Sequence, residues 1–262
     1  MKKLLLLVLV LFAPALMWAQ SPFDGTWVTK IDAAQLPQKP EVYAVQKGMY
    51  SCPTCVPAID VKADGSDQSV SGSHYYDTIS IHIVNASSLE IVSKKGSTTV
   101  YKETDTVSSD GNTLTEKFSD QTSGNPEPVT GEEIFTRVSK GPAGSHAVSG
   151  SWRAEKFNNV SSNGLTLTYQ GTVDGLKMSN LTGQTFEAKF DGKEYPMQGD
   201  PGHTLVTLKR LNASSFEETD RRDGKVVGIF HVKVAKDGKS IDAVYEDKER
   251  GTKTSFTMYK QS

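Results

Sequence analysis

The residues with the clearest chemical potential are Cys52 and Cys55, the two cysteines of this 262-residue chain. They stand in the motif Cys52-Pro53-Thr54-Cys55, and we interpret them first as a small structural disulfide that pins a turn. A redox pair is an alternative, but reactive thiols favour the N-terminus of a helix, and the following Pro57 and turn-rich context do not predict one. A zinc site would lack two further ligands, haem attachment would need a histidine where Val56 stands, and free thiols remain the last alternative.

The other reactive side chains form no catalytic motif. Adjacent carboxylates, Glu132-Glu133 and Glu217-Glu218, point to opposite faces of a strand, so neither pair can act as one acid–base couple, and we expect solvated faces. A nucleophile elbow and a phosphate-binding glycine loop are absent from the sequence. Five histidines show no metal-ligand spacing: His74, His82, His146, His203 and His231. We therefore predict no catalytic residue, no metal site, no cofactor and no enzymatic activity.

The first residues have the pattern of an export signal. Lys2-Lys3 precedes an apolar run that begins at Leu4, and Ala19 is a small residue suited to cleavage before Gln20. The apolar stretch is about 15 residues, short of the roughly 20 that span a membrane. We expect a signal peptide over 1–19 and a soluble protein in the periplasm or outside the cell, with no membrane insertion after cleavage. A retained N-terminal anchor is the alternative.

The charge balance excludes two classes of partner. The formal net charge is −2, and lysines and arginines are spread evenly along the chain rather than gathered in a stripe. Such a surface draws the protein neither to nucleic acid nor to anionic lipid. The sequence names no protein partner.

The chain repeats itself at a long period. Asp64-Gly65 matches Asp191-Gly192, and Asn85-Ala86-Ser87-Ser88 matches Asn212-Ala213-Ser214-Ser215, both at an offset of 127 residues. This period is too long for a solenoid unit, so it indicates two copies of one domain. We expect a first barrel over 20–140, a short polar linker over 141–147 and a second barrel over 148–262.

Both copies carry the signals of β-strands joined by tight turns. Polar and apolar residues alternate over 78–84 and over 204–209, and Asp-Gly pairs suited to hairpin turns recur through both halves. Helical periodicity is limited to a short turn at 32–36. We predict an all-β protein of two tandem antiparallel up-and-down β-barrels with about eight to ten strands each, with an open two-sheet sandwich as the alternative. Aromatic side chains are expected to fill or line the barrels, among them Tyr43, Tyr75, Tyr101, Phe118 and Phe135.

Gly25-Thr26-Trp27 and Gly150-Ser151-Trp152 resemble the Gly-x-Trp motif that opens the first strand of lipocalins and related calycin barrels. The segment 190–199, with its Tyr195-Pro196 pair, resembles a group of exported bacterial lipocalin-like proteins, and the first copy lacks this pair.

The resemblance implies a lipocalin-like or fatty-acid-binding-like barrel in each copy. It implies that Trp27 and Trp152 each close one barrel end under a basic side chain from a late strand. Arg137 would cover Trp27 in this way, whereas the matching position near Met258 offers no such residue. It further implies a small apolar ligand in the barrel mouth.

Three functions follow from these observations. We expect an exported, non-enzymatic protein that binds small apolar molecules in its barrel mouths. One alternative is a structural or envelope interaction protein with solid barrels. The other is a redox protein that uses Cys52 and Cys55.

Overall fold

The computed structural model describes residues 21–125 and 127–261. The predicted signal peptide over 1–19 lies outside these residues. The strands of the first half are β1 (Gly25–Thr29), β2 (Glu41–Gln46), β3 (Met49–Cys52), β4 (Ile59–Lys62), β5 (Gln68–Ser69), β6 (Thr78–Asn85), β7 (Ser88–Lys95), β8 (Thr98–Val107), β9 (Thr113–Asp120) and β10 (Val129–Lys140). Those of the second half are β11 (Gly150–Asn158), β12 (Thr166–Gly171), β13 (Gly175–Asn180), β14 (Thr185–Lys189), β15 (Tyr195–Pro196), β16 (Leu205–Asn212), β17 (Ser215–Arg222), β18 (Lys225–Val234), β19 (Ser240–Asp247) and β20 (Thr252–Lys260).

The strands form two antiparallel sheets of ten strands, each nearly closed into a barrel. One has the order β4-β3-β2-β11-β10-β9-β8-β7-β6-β5, and the other β14-β13-β12-β1-β20-β19-β18-β17-β16-β15. Single bridges, Asp64 to His82 in one and Thr185 to Gln198 in the other, bring the ends of each sheet together. The predicted all-β class and the two up-and-down barrels are confirmed. Short 3-10 turns at Ile31–Ala33 and Ser162–Gly164 join strands.

The sheets divide the chain differently from the expected boundaries, because each repeat lends its first strand to the other barrel. Strand β1 lies between β12 and β20, and β11 lies between β10 and β2. The first barrel is therefore β2–β11, and the second is β12–β20 with β1. The expected division at 141–147 instead falls inside the β10–β11 connection, where Lys140 pairs with Gly150.

The local sequence explains why this exchange is possible. Residues 30–40 and 159–165, which follow β1 and β11, are irregular connections rather than two-residue hairpins, so neither strand is tied to the next one along the chain. Both strands carry the same Gly-x-Trp pattern, so each fits the gap in either barrel. Swapping an identical element exchanges equivalent contacts and costs little free energy.

The two barrels share one register. A bulge interrupts the β6–β7 pairing between Ile83 and Asn85, and another interrupts β16–β17 between Arg210 and Asn212, 127 residues later. Each barrel buries its own apolar cluster on the inward face of alternating strand positions. Residues of the two barrels can therefore be compared position by position.

Candidate functional site

The first barrel contains a cavity of about 560 Å³. Its walls come from the inward faces of β2, β3 and β6–β10 and from the loops 55–57 and 72–76. Carboxylate and tyrosine side chains line much of it: Glu41, Glu103, Glu116, Tyr43, Tyr50 and Tyr101. Ile59, Ile79 and Ile91 supply apolar wall.

Strand geometry brings three of the acids together. Tyr101, Glu103 and Asp105 occupy alternate positions of β8 and so share one face. Asp105 pairs with Glu116 across the β8–β9 hairpin. One carboxylate oxygen from each of Glu103, Asp105 and Glu116 lies within 4.8 Å of the others. We name these three residues the carboxylate cluster.

The hydrogen bonds of the cluster are incomplete. Asp105 is 1% exposed, and its Oδ1 has no hydrogen-bond partner. The Tyr43 hydroxyl lies 3.0 Å from Glu116 Oε1 and 2.5 Å from Glu41 Oε2. The Tyr101 hydroxyl donates to Glu103 Oε2. A buried acceptor without a donor is costly, so the Asp105 oxygen is a place where a ligand's donor would be stabilised.

Burial and crowding alter the ionisation of this wall. Desolvation first, and then repulsion by Glu103, raises the pKa values of Asp105 and Glu116 well above their ordinary range. Desolvation also raises the pKa of Glu103, and it raises the pKa of Glu133 to about 8. These carboxyls therefore hold protons near neutral pH unless a positive group neutralises them.

Hairpins of the second barrel cover the cavity mouth. The β17–β18 turn and the β19–β20 turn contribute Arg222 and Arg250 to its lining. The Arg222 guanidinium carbon lies 5.3 Å from the centre of the Tyr75 ring, and His74 Nε2 lies 3.2 Å from Asp223 Oδ2. The cavity is therefore a joint product of both repeats.

The second barrel differs at the equivalent inward positions. Tyr101, Glu103, Asp105 and Glu116 correspond, 127 residues later, to Gly228, Phe230, Val232 and Ala243. The Phe230 ring packs 5.9 Å from Phe256 and 6.5 Å from Tyr245. Aromatic and aliphatic side chains thus stand where the first barrel has acids.

The two tryptophans lie where the sequence predicts, but with different partners. Both are 0% exposed, and their Nε1 atoms donate over 2.8 Å to Phe23 O and Val148 O. The expected pairing of Arg137 with Trp27 is wrong. The Arg137 guanidinium carbon lies 3.8 Å from the Trp152 ring centre, because the exchange places β11 beside β10. Trp27 instead has Lys260 Nζ at 5.5 Å, a partner that the sequence reasoning missed.

Cys52 and Cys55 form a disulfide in the β3–β4 connection, with Cα atoms 5.4 Å apart. This agrees with the first interpretation and not with free thiols or a zinc site. Cys55 lines the cavity, and the pair is flanked by strands and turns rather than by a helix N-terminus.

Two acidic residues lie elsewhere than expected. Glu133 lines the cavity, and Glu218 is 6% exposed inside the second barrel, although both were expected on solvated faces. The predicted opposition of neighbours holds, since Glu217 faces outward toward His231, 3.5 Å away. The carboxylate cluster was also missed. The Asp110-Gly111 turn was the available signal, because it sets the register that pairs Asp105 with Glu116.

The helical segments of the described residues are too short to cross a membrane. No protein-family model, curated protein or solved structure matches this chain, so the lipocalin resemblance stays a prediction that rests on its motifs.

Proposed function

We propose that the protein is an exported, non-enzymatic binding protein that holds a small molecule in the cavity of its first barrel. The cavity itself carries this proposal: about 560 Å³ lies within the range of small-molecule sites. Its wall combines apolar side chains with a few converging polar groups, the usual composition of such sites. Export is supported by the N-terminal signal pattern and by the Cys52–Cys55 disulfide, which persists in oxidising compartments.

The lining refines the expected ligand. A purely apolar molecule would leave the carboxylate cluster unpaired, which is unfavourable. A molecule with an apolar body against Ile79 and Ile91 and a polar end at the cluster would satisfy both parts of the wall.

The direct test is native mass spectrometry of the protein purified gently from its host. We expect a co-purified small molecule at one per chain. Ser93→Phe, which places a ring in the cavity, should abolish it, because Ser93 lines the wall and is 3% exposed. Thr104→Phe places the same ring on the outward face of the neighbouring strand and should leave it bound. A chain that carries no ligand and binds none from an extract would favour the structural alternative.

A further inference from the structure

We propose that the ligand of the first barrel is an organic cation, a protonated amine whose nitrogen sits against Glu103, Asp105 and Glu116. This inference rests on the proposed function and adds the chemical class of the ligand. Its basis is a match between what the cavity wall lacks and what an ammonium group supplies.

The carboxylate cluster offers acceptors in excess of donors. One oxygen from each of its three residues lies within 4.8 Å of the others, and Asp105 Oδ1, on a side chain 1% exposed, has no donor. An ammonium group carries a positive charge and three N–H donors. It can therefore donate one hydrogen bond to each carboxylate, and these charge-assisted bonds are the stronger kind.

Aromatic side chains beside the cluster favour the same occupant. Tyr43 and Tyr50 stack with ring centres 6.4 Å apart, and both line the cavity with Tyr101. The face of an aromatic ring attracts organic and ammonium cations. The volume of about 560 Å³ and the isoleucine wall have room for an organic body, which a bare metal ion would leave unused.

The remaining charges around the cavity do not oppose a cation. Glu41 and Glu133 add negative charge from β2 and β10. The positive groups at the mouth have acidic partners: Arg222 Nη2 lies 3.7 Å from Glu249, and Arg250 Nη1 lies 3.1 Å from Asp247. The inner end of the cavity is therefore more negative than its mouth, which orients an amine with its nitrogen inward.

The second barrel serves as an internal comparison. Phe230, Val232 and Ala243 replace the three acids there, so the cluster is not a requirement of the barrel architecture. Three buried acids kept in one place, with one oxygen unsatisfied, are costly to a fold unless a ligand uses them.

The experiment is isothermal titration calorimetry on the full mature chain with matched probes. Phenethylamine, tryptamine and putrescine represent amines, and 2-phenylethanol and 3-phenylpropanoate are the neutral and anionic counterparts of the first. We expect at least one amine to bind, and phenethylamine to bind at least about tenfold more tightly than either counterpart.

Two isosteric variants locate the site. Asp105→Asn removes the charge of the unpartnered carboxylate and should weaken amine binding by about 10–100-fold. Glu218→Gln makes the matched change at a buried acid of the second barrel and should leave it unchanged. Thermal unfolding followed by circular dichroism verifies that both variants fold, and a folded Asp105→Asn that binds as tightly as the parent overturns the proposal.

The remaining outcomes separate this inference from the proposed function. If the alcohol or the acid binds as tightly as phenethylamine, the cation is wrong while small-molecule binding stands. If Ca²⁺ or Mn²⁺ binds, blocks the amines and loses affinity in Asp105→Asn, a metal site replaces the amine. If every amine fails to bind at about 1 mM, the inference falls. If the native protein also carries no small molecule, the proposed function falls with it.

Discussion

The Tyr43 hydroxyl oxygen lies 3.0 Å from Glu116 Oε1 and 2.5 Å from Glu41 Oε2. A phenol has one proton, so both contacts are hydrogen bonds only if one of the two carboxyls is protonated. Burial raises the pKa of Glu116 well above its ordinary range and so makes it the proton carrier. This arrangement stores protons inside the first barrel.

The stored protons make the folded state sensitive to alkali. A carboxyl whose pKa is raised by folding binds its proton more tightly in the folded than in the unfolded chain. Its stability contribution is therefore largest below the unfolded pKa and falls as pH rises toward the folded value. For Glu133 this window runs from about 4.5, its ordinary value, to about 8. We expect the free energy of unfolding, measured by urea titration, to be lower at pH 8 than at pH 5.

Glu116→Gln should flatten this dependence, because the amide keeps the volume and cannot ionise. We expect the variant to be more stable than the parent at pH 8, by on the order of 1–3 kcal/mol, and closer to it at pH 5. Glu132→Gln, on the outward face of β10, is the control and should change little. The other titratable groups that face Glu116 are Glu41, Glu103, Asp105, Glu133, Tyr43, Tyr50 and Tyr101. A pH-independent difference between parent and Glu116→Gln would contradict the buried charge.

Amine binding should release protons near pH 7. An ammonium group stabilises the ionised carboxylates, so the raised pKa values of Asp105 and Glu116 fall when it binds. The apparent binding enthalpy should then vary with the ionisation enthalpy of the buffer, and the slope should shrink in Asp105→Asn. Identical enthalpies in phosphate and Tris would count against a change in protonation.

The exchanged strands can be tested through the tryptophan partners. In a double-mutant cycle, Arg137→Met with Trp152→Phe should show a coupling of about 0.5–2 kcal/mol in unfolding free energy, because the two side chains are stacked. The cycle with Trp27→Phe should show none. Coupling to Trp27 instead would mean that each barrel keeps its own first strand. Trp152→Ala or Trp27→Ala should cost about 3–5 kcal/mol, since both rings are fully buried.

Cutting the chain within 141–147 should not separate the barrels. Each fragment, 20–143 and 144–262, carries the strand that closes the other barrel, so the co-expressed halves should co-purify as a one-to-one complex. Size-exclusion chromatography with light scattering measures this. Two independent monomers at micromolar concentration would show that the exchange is dispensable.

Replacing both Cys52 and Cys55 with serine should leave the fold nearly intact. The disulfide closes a very short loop, which restricts the unfolded chain little. We expect the midpoint of thermal unfolding to fall by about 5 °C or less. Thiol titration of the native protein should find no free thiol, and a readily reduced pair of oxidising potential would revive the redox alternative.

The amino-acid sequence by itself determined the repeat, the strands and the turns. Alternation over 78–84 and the Asp-Gly pairs are local signals, and strand period and turn geometry depend on neighbouring residues alone. Even the pairing of Asp105 with Glu116 follows from the turn between them. The disulfide was accessible for the same reason, since its partners are three residues apart.

Only the tertiary structure decided which barrel each Gly-x-Trp strand closes and which acids share a cavity. β1 and β11 carry the same motif and fit either gap, so local free energies do not distinguish the two arrangements. Glu41, Glu116 and Glu133 meet only after the sheet has curled, because closure brings inward faces of separate strands together. Long-range closure is a property of the whole chain, and no local pattern encodes it.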